Sequence, residues 1–184
     1  MHFGSCFPGD PAKVAVYDFL PDVLLNQVVN QRDFLGMLAF DKWMANTDSR
    51  QAIFVRSRVK EFTRASVEHP LRMGFVALMM DHGFLFDGQQ WAYRDSPVQG
   101  LYSRTQIYEG VRGFDDFQPW LDQILHFPET VVDEALKSVP PEWVASEENV
   151  LHDLLEKLMR RRNRVADELR DCASKRGTVF PNWN

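Results

Sequence analysis

Two short segments of this 184-residue chain hold residues whose types and spacing could do chemistry. The first runs Asp41-Lys42-Trp43-Met44-Ala45-Asn46-Thr47-Asp48-Ser49-Arg50-Gln51-Ala52-Ile53-Phe54. It passes from a helical pattern through a polar turn into an apolar run. The second, Met80-Asp81-His82-Gly83-Phe84, closes another apolar run with Asp-x-Gly. Acids at the ends of two neighbouring strands suit phosphoryl transfer. One carboxylate orients or deprotonates the attacking hydroxyl, while another, helped by an amide, holds magnesium against the phosphates. On this reading Asp48 is the first carboxylate and Asp81 the second, with Gly83 beside it to let the backbone turn. Asn46 and Gln51 flank Asp48 and supply the amide. His82, Gly83 and Arg50 fall in the vicinity of the phosphates. Either acid alone is also what an ordinary connection contains; their order along the chain is what points to chemistry.

Those residues need elements to hold them. Gln31 to Asn46 reads as a helix with Phe34, Leu35, Leu38, Trp43 and Met44 on an apolar face. Ala52 to Val55 and Phe75 to Met80 read as strands, paired as a hairpin with an enlarged connection from Arg58 to Arg72. Ahead of them, Met1 to Lys13 reads as loop, and Val14 to Val29 as one or two short helices interrupted by Pro21. Asp87-Gly88 is a turn signal. Phe114 to Phe127 and Pro128 to Val139 read as helices. Pro140-Pro141 breaks the chain, and Ser146 is placed to cap a long helix with Leu151, Leu155, Leu158, Val165, Leu169 and Cys172 on one stripe. The expected fold is one domain over 1–184, mainly α with a small antiparallel sheet.

Composition bounds the function. Hydrophobic residues make up 45% and charged residues 26%, as in a globular domain, and a net charge of −5 argues against a general nucleic-acid surface. Two cysteines imply no disulfide framework, and five histidines add no metal-ligand spacing. With no signal-peptide pattern and no membrane-length apolar run, the expected location is the cytoplasm. The basic run Arg160-Arg161-Arg162 with Arg164 reads as a solvated helix face balanced by nearby acids. Arg56, Arg58, Lys60, Arg64 and Arg72 form a second basic cluster suited to an anionic partner. Most of Trp91, Tyr93, Tyr102, Tyr108, Trp120 and Trp143 are expected in the core.

The two acidic segments together resemble the HipA-like kinases. Asp41-Lys42-Trp43 followed by Asn46-Thr47-Asp48 is similar to that family's Asp-x-Trp helix end and Asn-Thr-Asp turn. Arg50-Gln51 and Gly83-Phe84-Leu85-Phe86 resemble one branch of it. The likeness covers most of Met1 to about Trp120 and weakens over the helices from 121 to 184. It implies the C-lobe of a protein-kinase-like fold, with Mg2+ and ATP as cofactors and a protein serine or threonine as substrate. It also implies Asp48 as base and Asp81, Gln51 and Asn46 as metal ligands. Two departures stand out. Five residues after Asp48, where the wider kinase pattern has a metal-binding asparagine, stands Ile53. Asp41 and Asn46 are also five apart and define an alternative register, ranked second because both are expected on the helix. No two glycines lie two positions apart and no Val-Ala-x-Lys-like strand precedes the site, so no nucleotide-covering lobe is expected within this chain. A separate N-lobe or an antitoxin-like protein is then the implied partner, with apolar surface exposed near Phe3, Phe84 and Phe86. The reading of another class is a non-catalytic interaction module.

Overall fold

A computed structural model describes residues 10, 14–58, 73–145 and 147–184. It is mixed α+β, with a three-stranded antiparallel sheet among helices. The chain divides into two compact units, one made of residues 1–34 and 50–81, the other of 35–49 and 82–184.

The first unit holds the sheet. Strands β1 (Ala15–Tyr17), β2 (Gln51–Arg58) and β3 (Met73–Met80) lie in the order β1-β2-β3. Val16 pairs with Val55, and Phe54 pairs with Ala77. The centre of β2 is covered on both faces, since Phe54 and Val55 are successive and both fully buried. An uninterrupted apolar run therefore makes a strand here rather than an alternating one. Val14 to Val29 departs from the expected helices. Val16 and Tyr17 sit in β1, and only Asp22–Leu25 (α1) is helical, entered through the Pro21 carbonyl. A β-branched residue beside an aromatic one favours a pleated strand once a partner strand is in reach. Arg56 and Arg58 are exposed on β2, while Lys60, Arg64 and Arg72 of the same basic cluster lie outside the described residues.

The outer edge of β3 is closed by a side chain. Val29 N–H donates to the Phe75 carbonyl at 2.9 Å. Asn30 then imitates a peptide group: its Nδ2 donates to the Ala77 carbonyl at 2.9 Å, and its Oδ1 accepts the Ala77 N–H at 2.8 Å. Ala77 is buried, so an unpaired amide there has no ready replacement from solvent. Asn30→Ala is expected to lower stability by about 1–3 kcal/mol. A urea midpoint unchanged from wild type would show that the edge does not need this mimic.

Helix α2 (Asp33–Trp43) gives its first two residues to the first unit and the rest to the second. Phe34, Leu35, Leu38, Ala39 and Trp43 are buried, and so are Asp41 and Lys42. A helix buried around most of its girth is a core helix rather than an amphipathic surface one. Gly36 is required for packing: a Cβ there would fall inside the Trp120 indole.

The second unit continues through 3-10 turns at Leu85–Gln90, Thr105–Tyr108 and Phe114–Phe117. Then come α3 (Trp120–Leu125), α4 (Glu129–Lys137), α5 (Pro141–Val144), α6 (Glu148–Arg161) and α7 (Val165–Lys175). The single helix expected from Phe114 to Phe127 is split. Pro119 has no N–H to continue it, and the chain restarts at Trp120. Pro141 begins a short helix instead of only breaking one, as the first helical position tolerates proline. Ser146, expected to cap the next helix, lies outside the described residues. The long helix is two, joined by a 3-10 turn at Arg162–Arg164, and its buried stripe includes Leu154 rather than Leu151 or Leu155. Trp143 is 54% exposed, against the core position expected for it. Cys172 is buried and free, and burial pushes its thiol above the ordinary range. Cys6 lies outside the described residues. Among the described residues no helix is long and apolar enough to cross a membrane.

The arginine run is not a uniform solvated face. Arg160 is exposed and pairs with Glu156 one turn back. Arg162 donates to the Phe127 and Met159 carbonyls. Arg161 is only 6% exposed. Its guanidinium donates to the Lys42 and Trp43 carbonyls, which end α2, and pairs with Asp95. A planar group with five donors suits this cluster of acceptors.

Candidate functional site

The end of α2 positions Asp41, Asn46 and Asp48. The helix stops at Trp43, and Ala45 takes a left-handed conformation (φ 48°) that turns the chain back on itself. Asn46 thereby returns to Asp41. Its N–H donates to the Asp41 carbonyl at 2.9 Å, and its Nδ2 donates to Asp41 Oδ1 at 3.1 Å. Both residues are buried, Asp41 at 0% and Asn46 at 1% exposure. The expectation that both belong to the helix is corrected, because Asn46 sits beyond it in the turn. Asn46 Oδ1 in turn accepts the Asp48 N–H at 3.2 Å. Asp48 is half-buried, and its Oδ1 accepts the Ser49 N–H at 2.7 Å.

Two other stretches of the same unit pack on this turn. Thr47 N–H donates to the Phe84 carbonyl, and Phe86 and Asp87 N–H donate to the carbonyls of Met44 and Ala45. Residues 96–100 pack on the end of α2, with Gly100 against Asp41. Lys42 Nζ donates to the Ser96 and Pro97 carbonyls at 2.9 and 3.0 Å, and Gly100 N–H donates to the Asp48 carbonyl at 3.2 Å. Gly100 lies so close that a Cβ on it would overlap the Asp41 side chain, and its φ of 70° also favours glycine. Burial lowers the Lys42 pKa, opposed by the nearby Cys172, Glu168, Asp41 and Asp95 side chains.

The next strained segment is Phe86-Asp87-Gly88, all at positive φ, with Trp91 and Tyr93 following. Asp87 is buried and accepts Arg94 Nε at 2.8 Å. That bond holds its carboxyl below the usual carboxylate range. The Asp-Gly pair marked the turn in the sequence; nothing in it marked the Arg94 partner. His82 is exposed, with its ring edge-on to Phe40 at 6.2 Å. Gly83 is exposed in the turn that leads to Phe84. Phe84 is 52% exposed, Phe86 is half-buried, and Phe3 lies outside the described residues.

In the first unit, Asp81 and Gln51 come together. The end of β3 leaves Asp81 exposed and left-handed (φ 61°), an uncommon conformation for a residue other than glycine. The turn expected of Gly83 thus begins at Asp81 itself. Gln51 Nε2 donates to Asp81 Oδ2 at 3.1 Å. Arg50 is buried, and its Nη1 donates to the Met80 and Asp81 carbonyls at 2.6 and 2.9 Å. Arg50 therefore fixes the backbone that presents Asp81. Ile53 is paired with Leu78 within the sheet.

A divalent cation needs oxygen ligands. Among the described residues no group of three or more His, Cys, Asp or Glu side chains is arranged to hold one. Magnesium beside a nucleotide uses only one or two carboxylates, with phosphates and waters completing the shell. Asp81 with the Gln51 amide fits that smaller donor set once the amide turns its oxygen inward. Comparisons with protein-family models, with curated proteins and with solved structures find no match to this chain.

Proposed function

We propose that this chain is the C-lobe of an ATP- and Mg2+-dependent phosphotransferase of the HipA-like kind, acting on a protein serine or threonine, with Asp41 as its base. The observation that carries this is the Asn46-to-Asp41 side-chain bond at 3.1 Å across a step of five residues. Five is the separation of base and magnesium-ligating asparagine in kinase catalytic loops. Asp48 lacks such an amide partner: Ile53 stands in that place and is held in β2. Asp41 would accept the proton of the attacking hydroxyl. In the second unit Asn46 would offer Mg2+ its amide oxygen beside Asp41, and in the first unit Asp81 with Gln51 would offer a carboxylate and an amide; the ion would draw charge off a transferring phosphate. Residues 96–100 would have to shift for a hydroxyl to reach Asp41.

A second reading rests on the burial of Asp41. Asp41, Asn46 and Gly100 would then form a structural stop for α2 in a non-catalytic interaction module. Calorimetry with ATP, with and without Mg2+, combined with transfer of labelled γ-phosphate, separates the two. The kinase reading expects Mg2+-dependent binding that Asp81→Ala removes. It also expects a transfer rate lowered about 10²–10⁴-fold by Asp41→Asn, as for loss of a general base, with Asp48→Asn close to wild type. Absence of ATP binding to the folded wild-type chain leaves the module and a half-enzyme that needs a separate N-lobe, which addition of such a lobe would tell apart.

A further inference from the structure

We propose that the second unit contains a binding site for a small aromatic molecule, separate from Asp41 and Asn46. A cavity of about 540 Å³ lies between α2 and the α3 segment. That is within the range of small-molecule pockets, about 300–1,000 Å³. One wall is the α2 stripe Gly36, Phe40, Trp43 and Met44, spaced to share a helix face. Trp120, Ile124 and Phe127 supply the opposite side.

The walls are held in place by bonds that do not involve a ligand. Trp43 Nε1 donates to the Leu158 carbonyl at 2.9 Å. The Phe127 carbonyl accepts Arg162 Nη1 at 2.7 Å. Phe40 is braced edge-on by His82. The absence of a side chain at Gly36 lets the Trp120 indole lie against α2. These bonds hold the Trp43 indole and the Phe127 backbone in place with no ligand between them.

The rings choose the ligand. Trp43 meets Phe127 at 5.0 Å with the planes 60° apart, and Phe40 at 6.3 Å with the planes 86° apart. Edge-to-face contacts of this kind are worth about 0.5–1.5 kcal/mol beyond burial for a further ring, and nothing extra for an alkyl group. Polarity is confined to two exposed residues, Gln123 and His126. His126 Nδ1 bonds the Asp122 carbonyl at 2.9 Å, so in the neutral ring it donates there and Nε2 is left as an acceptor. The matching ligand is a one- or two-ring aromatic with an N–H or O–H at its edge, an indole or a phenol. With so few polar groups to pair a peptide backbone, a free small molecule fits better than a protein segment.

Saturation-transfer NMR on the full chain tests this, with indole as probe and cyclohexylmethanol as the non-aromatic comparator. Indole is expected to receive saturation and cyclohexylmethanol much less. Met44→Trp, which fills the space, should abolish the indole signal, with circular dichroism checking that the variant folds. Gln123→Ala with His126→Ala alters only exposed side chains and should weaken indole about two- to tenfold, the loss of one hydrogen bond. Equal transfer to both probes, no transfer to indole, or indifference to the rim variant overturns the proposal. Tighter binding of a tryptophan-containing tripeptide than of indole overturns the small-molecule assignment in favour of a protein partner.

Discussion

Arg161→Met is expected to destabilise the folded protein by about 3–5 kcal/mol, the usual result of removing one partner from a buried ionic cluster. Methionine keeps much of the apolar stem, so the loss isolates the guanidinium. In its absence the Trp43 carbonyl loses the Arg161 donor inside the core, and the Lys42 carbonyl keeps only the longer bond from the Ala45 N–H at 3.3 Å. Tyr93 loses a cation 5.2 Å from its ring centre. Asp95 keeps Arg164, a more exposed partner. Burial raises the Asp95 pKa, but the Arg161 hydrogen bond and the charges of Arg161 and Arg164 outweigh it, and the net shift is downward. A depressed carboxylate pKa stabilises above its unfolded value, and that contribution fades as the pH falls through the folded value. The Glu168 pKa is raised by burial, then by Asp95, and lowered again by the two arginines. Losing Arg161 therefore makes charged Glu168 costlier as well. Both carboxylates predict a deficit that is full near neutrality and shrinks in acid. Urea unfolding across a pH series reads this directly, with Arg160→Ala as the control, since its exposed pair is worth at most about 1 kcal/mol. A deficit below that of the control at neutral pH would show that α2 ends without Arg161.

The sequence was most legible where burial is continuous. The apolar runs Ala52 to Val55 in β2 and Phe75 to Met80 in β3, and the body of α2, could be read because each carries one unbroken signal. β1 could not, because three residues carry no period and its strand state depends on pairing with β2. Arg161 shows the limit for charge patterns. A run of arginines looks the same whether its members face water or the carbonyls of a distant helix end, and the deciding contact is 118 residues away. The candidate site was half legible. The five-residue step from Asp41 to Asn46 is plain in the sequence, yet it looked helical because Ala45 gives no local sign of ending a helix. A glycine there would have announced the left-handed turn. The packing of residues 96–100 on the end of α2 left only Gly100 as a trace, and a glycine in a loop is common.

Gly100→Ala is expected to lower stability by about 3 kcal/mol or more, from left-handed strain added to overlap with Asp41. The neighbour in the way is the Asp41 Cβ, one bond from the α2 backbone, so it cannot swing aside as the tip of a long side chain would. Either α2 or the loop must move. Lys42 resists the loop's movement through its bonds to Ser96 and Pro97, and Asn46 resists any shift of Asp41. A double-mutant cycle divides the two causes. Asp41→Gly removes the obstructing Cβ and leaves the φ of residue 100 untouched. Its combination with Gly100→Ala should recover about 1–3 kcal/mol relative to the sum of the single changes, as for residues in direct contact. Strict additivity in the cycle would place the whole cost in the backbone angle and deny that the 96–100 segment presses on Asp41. Coupling of the expected size would mean that any function of the Asp41 carboxylate requires this segment to lift first.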